Sequence, residues 1–139
     1  MSMFPTIDVA GSGLNVDATW LDTIGGNVAN AEDAVTPGKP VYRDQELVAV
    51  PQSQSFIPGQ SGAGLGVQVQ EIALGSAKGD TVSDPENPAA NAKGMVTYPD
   101  VSVSHEMVSL VEAQTSYQAN ASVLQNADTA YKAILAIKD

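Results

Sequence analysis

The two ends of this chain carry the same kind of pattern, and that pattern limits what the chain can fold into. Residues 12–33 read SGLNVDATWLDTIGGNVANAED, and residues 106–135 read EMVSLVEAQTSYQANASVLQNADTAYKAIL. Both place apolar side chains three and four residues apart, the spacing of one helix face. Both are rich in small residues and in Asn or Gln. Neither offers enough large apolar surface to stand alone, because a helix in water takes most of its stability from the packing of its apolar face. Helices at both termini, around a middle with strand character, predict that the ends pair with each other and assemble into something larger.

The first helix is expected to begin between Thr6 and Ser12 and to run to about Ala31. Ile7, Ala10, Leu14, Leu21, Ile24, Val28 and Ala31 share one face, and Asp17 falls on the same stripe. Gly25-Gly26 weakens the helix by about 0.8–1 kcal/mol per glycine relative to Ala. It serves either as a flexible spot or as a place where another helix comes close. The second helix is expected to start near Val101 or Ser104. Ser102 or Ser104 would cap it, and Glu106 suits the positive end of the helix dipole. Its stripe is Leu110, Ala113, Tyr117, Leu124, Ala127, Tyr131 and Ile134, widened by Met107, Val111, Ala121 and Leu135. No proline interrupts it.

Asn120 sits on that second stripe. A buried Asn on an apolar seam fixes register and partner identity at a cost in stability. Asn27 and Asn30 are candidates for the same role on the first helix, with Asn30 alternatively helping to end it. The residues expected to carry subunit packing and register are therefore Leu14, Leu21, Ile24, Asn27, Val28, Asn30, Leu110, Tyr117, Gln118, Asn120, Leu124 and Tyr131, with the two tyrosines read as plain packing residues.

Between the helices, residues 32–41 are turn-rich, and Thr36-Pro37-Gly38 with Pro40 forbids helix. Arg43 to Val50 reads as a short strand ended by Pro51. Gln52 to Gly64 is a polar, Gly/Ser-rich loop. Gly66 to Ile72 alternates apolar and polar residues and is the clearest strand. Residues 75–94 read as loop, and Met95 to Tyr98 as a short strand before Pro99. The expected fold class is α+β. Residues 1–31 and 101–139 would form a discontinuous, coiled-coil-like helical domain, and residues 32–100 a small β-rich middle domain.

Charge excludes several functions. The 139 residues carry 16 acidic and 6 basic side chains, a net charge of −10. That disfavours nucleic-acid binding, which needs Lys and Arg on phosphates, and docking on anionic lipid. No Lys or Arg occurs from Met1 to Gly38 or from Gly94 to Tyr131. The two helices therefore form no salt bridges with each other along most of their length, and basic residues on neighbouring subunits would complement them. There is no cysteine, so disulfides and thiolate sites are excluded. No apolar run approaches the ~20 residues of a membrane span. A cleaved secretory signal is not expected either, because the first basic residue is Lys39 and Asp8 interrupts the opening.

Candidate chemistry is thin, and no catalytic, cofactor or metal residue is assigned. His105 lies between Ser104 and Glu106, but neighbours on a helix point apart and make no relay. Asp80, Asp84 and Glu86 lack calcium-loop spacing. Gly62 to Gly66 precedes a strand and has no following Lys-Ser/Thr, so it is no phosphate loop.

Met1-Ser2-Met3-Phe4 and Asp8 to Leu14 resemble the opening of the flagellar basal-body rod proteins. Gly26-Asn27-Val28-Ala29-Asn30-Ala31 resembles that family's NLANA motif, with Val28 in place of Leu. The central strand from Gly66 to Ile72, Asp84 to Pro88, Gly94 to Val101, Glu106-Met107-Val108 and Ser116 to Asn120 resemble later family segments in the same order. The short length and the central Asp-Pro favour the proximal-rod members. Thr115 stands where the family generally has Arg, which removes an ion pair to a neighbouring subunit. Ser83 and Asn87 replace the usual Tyr and His.

The resemblance implies a structural, non-enzymatic rod component in the periplasm-spanning basal body. Its partners would be proximal and distal rod proteins within the hook–basal-body complex and the flagellar type III export apparatus. Export would proceed without signal cleavage, and the rod would transmit torque for motility. The alternative is a small periplasmic hydrolase or binding module beside the flagellum or cell wall.

Overall fold

Ser102 starts the longest element of the molecule. In a computed structural model of the chain, which describes residues 4–52 and 66–136, its hydroxyl accepts the His105 amide at 3.4 Å and its carbonyl accepts the Glu106 amide at 3.0 Å. Those bonds satisfy amides that a helix start otherwise leaves open. Helix α2 follows as Val103–Ala136, 34 residues long. Helix α1 spans Phe4–Asn30. It starts slightly earlier than the sequence pattern suggests and ends one residue sooner. The side chain of Asn30 turns back to the Gly26 carbonyl at 2.7 Å, taking an acceptor of the last turn. The expected α+β class is the one observed.

Among the described residues between the helices there are four strands: β1 Gln45–Pro51, β2 Val67–Leu74, β3 Asp80–Ser83 and β4 Met95–Tyr98. β1 pairs with β2, and β3 with β4. The first pair is closed at one end by the Gly75 amide on the Asp44 carbonyl and at the other by the Gln52 amide on the Gly66 carbonyl, so the strands run antiparallel. Arg43 adds two bonds to the carbonyls of Leu74 and Gly75. β3 and β4 are antiparallel in the register Asp80↔Tyr98 to Ser83↔Met95.

Strand β3 corrects the sequence reading, which made residues 75–94 loop throughout. All four of its residues are exposed, so it has no buried face to leave an alternating pattern. Partner geometry makes it a strand: Thr81 and Thr97 share a hydroxyl bond at 3.0 Å. Gly79 enters it at φ +44°, where a Cβ would clash with the Tyr98 carbonyl oxygen. Only glycine fits that turn. Strand β2 begins with the expected alternation, but Ile72 and Leu74 both end up exposed. The expected Gln52–Gly64 loop falls almost wholly outside the described residues.

The chain forms two compact units. One takes its described residues from Met1–Leu21, Val48–Glu71 and Val111–Asp139, and the other is Asp22–Leu47 with Ile72–Leu110. The first buries mainly small side chains, Ala10, Val16 and Ala113, together with Asp17. The second buries Ile24, Ala31, Val41 and a fully enclosed Val96, together with Thr23, Asn27, Thr97 and Glu106. A third edge is added to β4 by Val35, which exchanges both backbone bonds with Thr97.

Candidate functional site

Each unit holds its helical ends together with an amide side chain, half-buried at Asn120 in the first and buried at Asn27 in the second. In the first unit, Asn120 Nδ2 donates to Asp17 Oδ2 at 2.8 Å, joining residues 103 positions apart. Asp17 is only 5% exposed. A charge-assisted bond of this kind is stronger than a neutral one and offsets part of the desolvation of the carboxylate. Gly13 makes the approach possible. A Cβ there would sit 2.6 Å from Asn120 Nδ2, closer than any side chain tolerates, so a bare backbone faces the Asn120 amide.

In the second unit, Asn27 is 1% exposed and fully used. Its Nδ2 donates to the Gln45 carbonyl at 2.8 Å, and its Oδ1 accepts from the Gln45 amide and from the Tyr42 hydroxyl, both at 3.0 Å. The amide also bonds the Glu106 carboxylate. One side chain therefore ties α1 to the start of β1 and to the first turn of α2. An Asn has four hydrogen-bonding positions, and all four are filled here.

Two carboxyls border this junction. Glu106 is 5% exposed. Its burial raises its pKa, the Asn27 bond opposes the rise, Asp44 adds repulsion, and His105 draws it back down. Asp44 is raised as well, mainly by its own burial, with its bond to the Gln45 backbone and the His105 charge opposing and Glu46 and Asp100 adding. One Asp44 oxygen is enclosed without a hydrogen-bond partner. The Tyr42 hydroxyl is pushed up by burial and then by both carboxylates.

The remaining residues singled out from the sequence divide by exposure. Ile24 is buried. Leu14, Leu21, Val28, Asn30, Leu110 and Leu124 are half-buried. Tyr117, Gln118 and Tyr131 are exposed. The structure brings Asn27 and Asn120 into bonded junctions, while Asn30 bonds within its own helix. Sequence reasoning missed Gly13, Tyr42, Gln45 and Glu106 as partners. Asp17 carried a signal, since it and Asn120 are the polar residues on the two facing stripes. Gln45 contributes backbone groups, which leave no mark on residue type.

Elsewhere the chemistry is closed. Asp84 Oδ2 accepts from Asn87 Nδ2 and from the Tyr98 hydroxyl at 3.2 and 3.1 Å. Among the described residues no group of three His, Cys, Asp or Glu side chains could hold a metal ion. No helix among them is long and apolar enough to cross a membrane.

Two amide junctions, one in each unit, tie residues of α1 to residues of α2. Comparison with known proteins gives the class. Residues 92–137 match the family model described as the flagellar basal body rod FlgEFG protein C-terminal. The chain is 39% identical over 124 residues to the flagellar basal-body rod protein FlgC of Yersinia enterocolitica, covering 89% of each. It is 31% identical over 149 residues to that of Borreliella burgdorferi, covering 99% of this chain and 98% of the relative. With the FlgC of Bacillus subtilis it shares 31% identity over 137 residues, 89% of this chain and 90% of the relative. The chain belongs to the FlgC family of flagellar basal-body rod proteins.

Proposed function

We propose that this protein is a structural component of the bacterial flagellar basal-body rod, polymerising with other rod proteins to transmit torque for motility. The observation that carries this reading is helix α2. At 34 residues it is about 50 Å long. Val103, Met107, Val108, Val111, Tyr131, Ile134 and Leu135 stand exposed along it. A free monomer has no use for an apolar surface of that extent, whereas a subunit seated among other helices does.

In this reading the helical ends, residues 1–31 and 101–139, make the contacts between subunits. Leu14, Leu21, Leu110, Tyr117, Gln118, Leu124 and Tyr131 pack against neighbours there, while Asn27 and Asn120 fix the register within the subunit. Residues 32–100 set the spacing. Rod proteins of the proximal and distal segments are the partners, and the chain reaches them through the flagellar export apparatus without signal cleavage. It performs no catalysis. Family membership favours this over a hydrolase or binding module, which has no support.

Peptide mass spectrometry of purified hook–basal bodies from the source cells tests the proposal. The expected result is this chain at several copies per particle with both termini intact. Complete basal bodies that lack the chain would overturn it. A Met107→Glu/Val111→Glu variant adds a second test. It should keep its monomer fold, because both side chains are exposed, yet fail to restore swimming to cells lacking the native chain.

A further inference from the structure

The second unit contains an open groove of about 580 Å³ whose walls are the loops carrying Lys39 and Lys78. These are two of only six basic residues in the chain. Both are exposed, and the one ion pair among the described residues is Lys132 with Asp128. Among the described residues no carboxylate lines the groove. Its floor includes Val41, Thr81 and Thr97, and the two threonine hydroxyls are tied to each other. The groove thus sets a floor of mixed apolar and hydroxyl groups between two ammonium groups that make no ion pair among the described residues.

We propose that this groove seats an acidic helix face of a second copy of this chain. Charge complementarity carries the choice of occupant. At a net charge of −10 two copies repel, so their contact needs a local pairing of opposite charge. The helices supply the other half. Asp8 and Asp22 on α1 and Glu112 on α2 are exposed and make no ion pair among the described residues. They lie in stretches that contain no cation. Each of these carboxylates, set on a helix with no cation in its stretch, matches the ammonium rims of the groove. A free inorganic anion, by contrast, would want converging hydrogen-bond donors, and these hydroxyls are already engaged. The inference rests on the assembly reading above and adds to it which residues meet.

The test uses the full-length chain as an equal mixture of ¹⁵N-labelled and unlabelled protein, concentrated until it sediments as an assembly. Zero-length carbodiimide coupling then joins amines to carboxylates in contact, and mass spectrometry reads the products. The expected result is mixed heavy–light peptides linking Lys39 or Lys78 to Asp8, Asp22 or Glu112, with the exposed Lys93 as an internal control. Charge reversal by Lys39→Glu/Lys78→Glu should raise the concentration needed for assembly about tenfold or more without changing the far-ultraviolet circular dichroism of the monomer. Assembly that proceeds unchanged in that variant, or that gives no such links, overturns the groove and leaves the rod reading standing. Failure of the native chain to assemble with itself overturns the second copy as occupant, and absence from basal bodies separately overturns the rod reading.

Discussion

Replacing Asn27 by Ala should be among the most damaging single changes in the second unit, and the size of the effect follows from its bonds. Truncation removes three neutral hydrogen bonds, to the Gln45 amide, the Gln45 carbonyl and the Tyr42 hydroxyl, and one to the Glu106 carboxylate. Neutral bonds contribute about 1 kcal/mol each and a bond to a charged group about 1.5–3 kcal/mol. The expected loss is therefore about 4–6 kcal/mol, a large fraction of the roughly 5–15 kcal/mol that a small domain possesses. Urea unfolding followed by far-ultraviolet circular dichroism measures it, provided the slope is unchanged from wild type. Hydrogen exchange at the Gln45 amide should accelerate in parallel, because that amide loses its acceptor. A loss below about 1 kcal/mol with a protected Gln45 amide would refute the reasoning, since it would mean that water or a neighbour replaces all four bonds.

Gly13→Ala should destabilise the first unit by about 1–3 kcal/mol through overpacking against Asn120, less the roughly 0.8–1 kcal/mol that Ala gains in helix propensity. Adding Asn120→Ser should recover part of the loss, and a double-mutant cycle by urea unfolding checks that coupling. Gly25→Ala should stabilise α1 by about 0.8–1 kcal/mol, because nothing lies within 4 Å of the added Cβ, and thermal melting of the monomer reads it. Stability should also fall as pH rises. Glu106 and Asp44 have raised folded-state pKa values, so their contribution is full below the ordinary values of 4.5 and 3.8 and is lost as pH climbs through the folded ones. Glu106→Gln keeps an acceptor for Asn27, and should flatten that decline and make the chain more stable at pH 7. Urea midpoints across pH 4 to 8 provide the comparison.

The helices were legible because their apolar residues recur at helical spacing, and α2 because Ser102 offers a cap where the pattern begins. The alternation in β2 was legible for as long as one face was half-buried, and it failed at Ile72 and Leu74, which face solvent. Strand β3 left no trace because none of its residues is buried and its pairing with β4 is decided by the partner. The candidate junctions were half-visible. Asn120 stood out as a polar residue on an apolar stripe, and Asn27 as a candidate for the same role. Their partners did not, because Gln45 acts through its backbone and Gly13 through the absence of a side chain. The role of Gly25-Gly26 is settled by space. Gly25 has no neighbour within 4 Å, and for Gly26 the nearest atom, the Tyr42 hydroxyl oxygen, would lie 3.6 Å from a Cβ. Within the subunit neither is a point of close helix approach.

The bond between Asp17 and Asn120 has a kinetic consequence. It spans 103 positions of a 139-residue chain, so the contact order of the helical frame is high and its formation slow compared with a bundle of sequence neighbours. During synthesis, N-terminus first, α1 has no partner for Asp17 until residue 120 has been made. The early helix is then an unpaired segment whose apolar stripe has nothing to pack on, weakly helical by itself. The first unit cannot close until Asn120 arrives, and a polypeptide whose helical ends stay open that long is also one that can be threaded through a narrow passage before it closes.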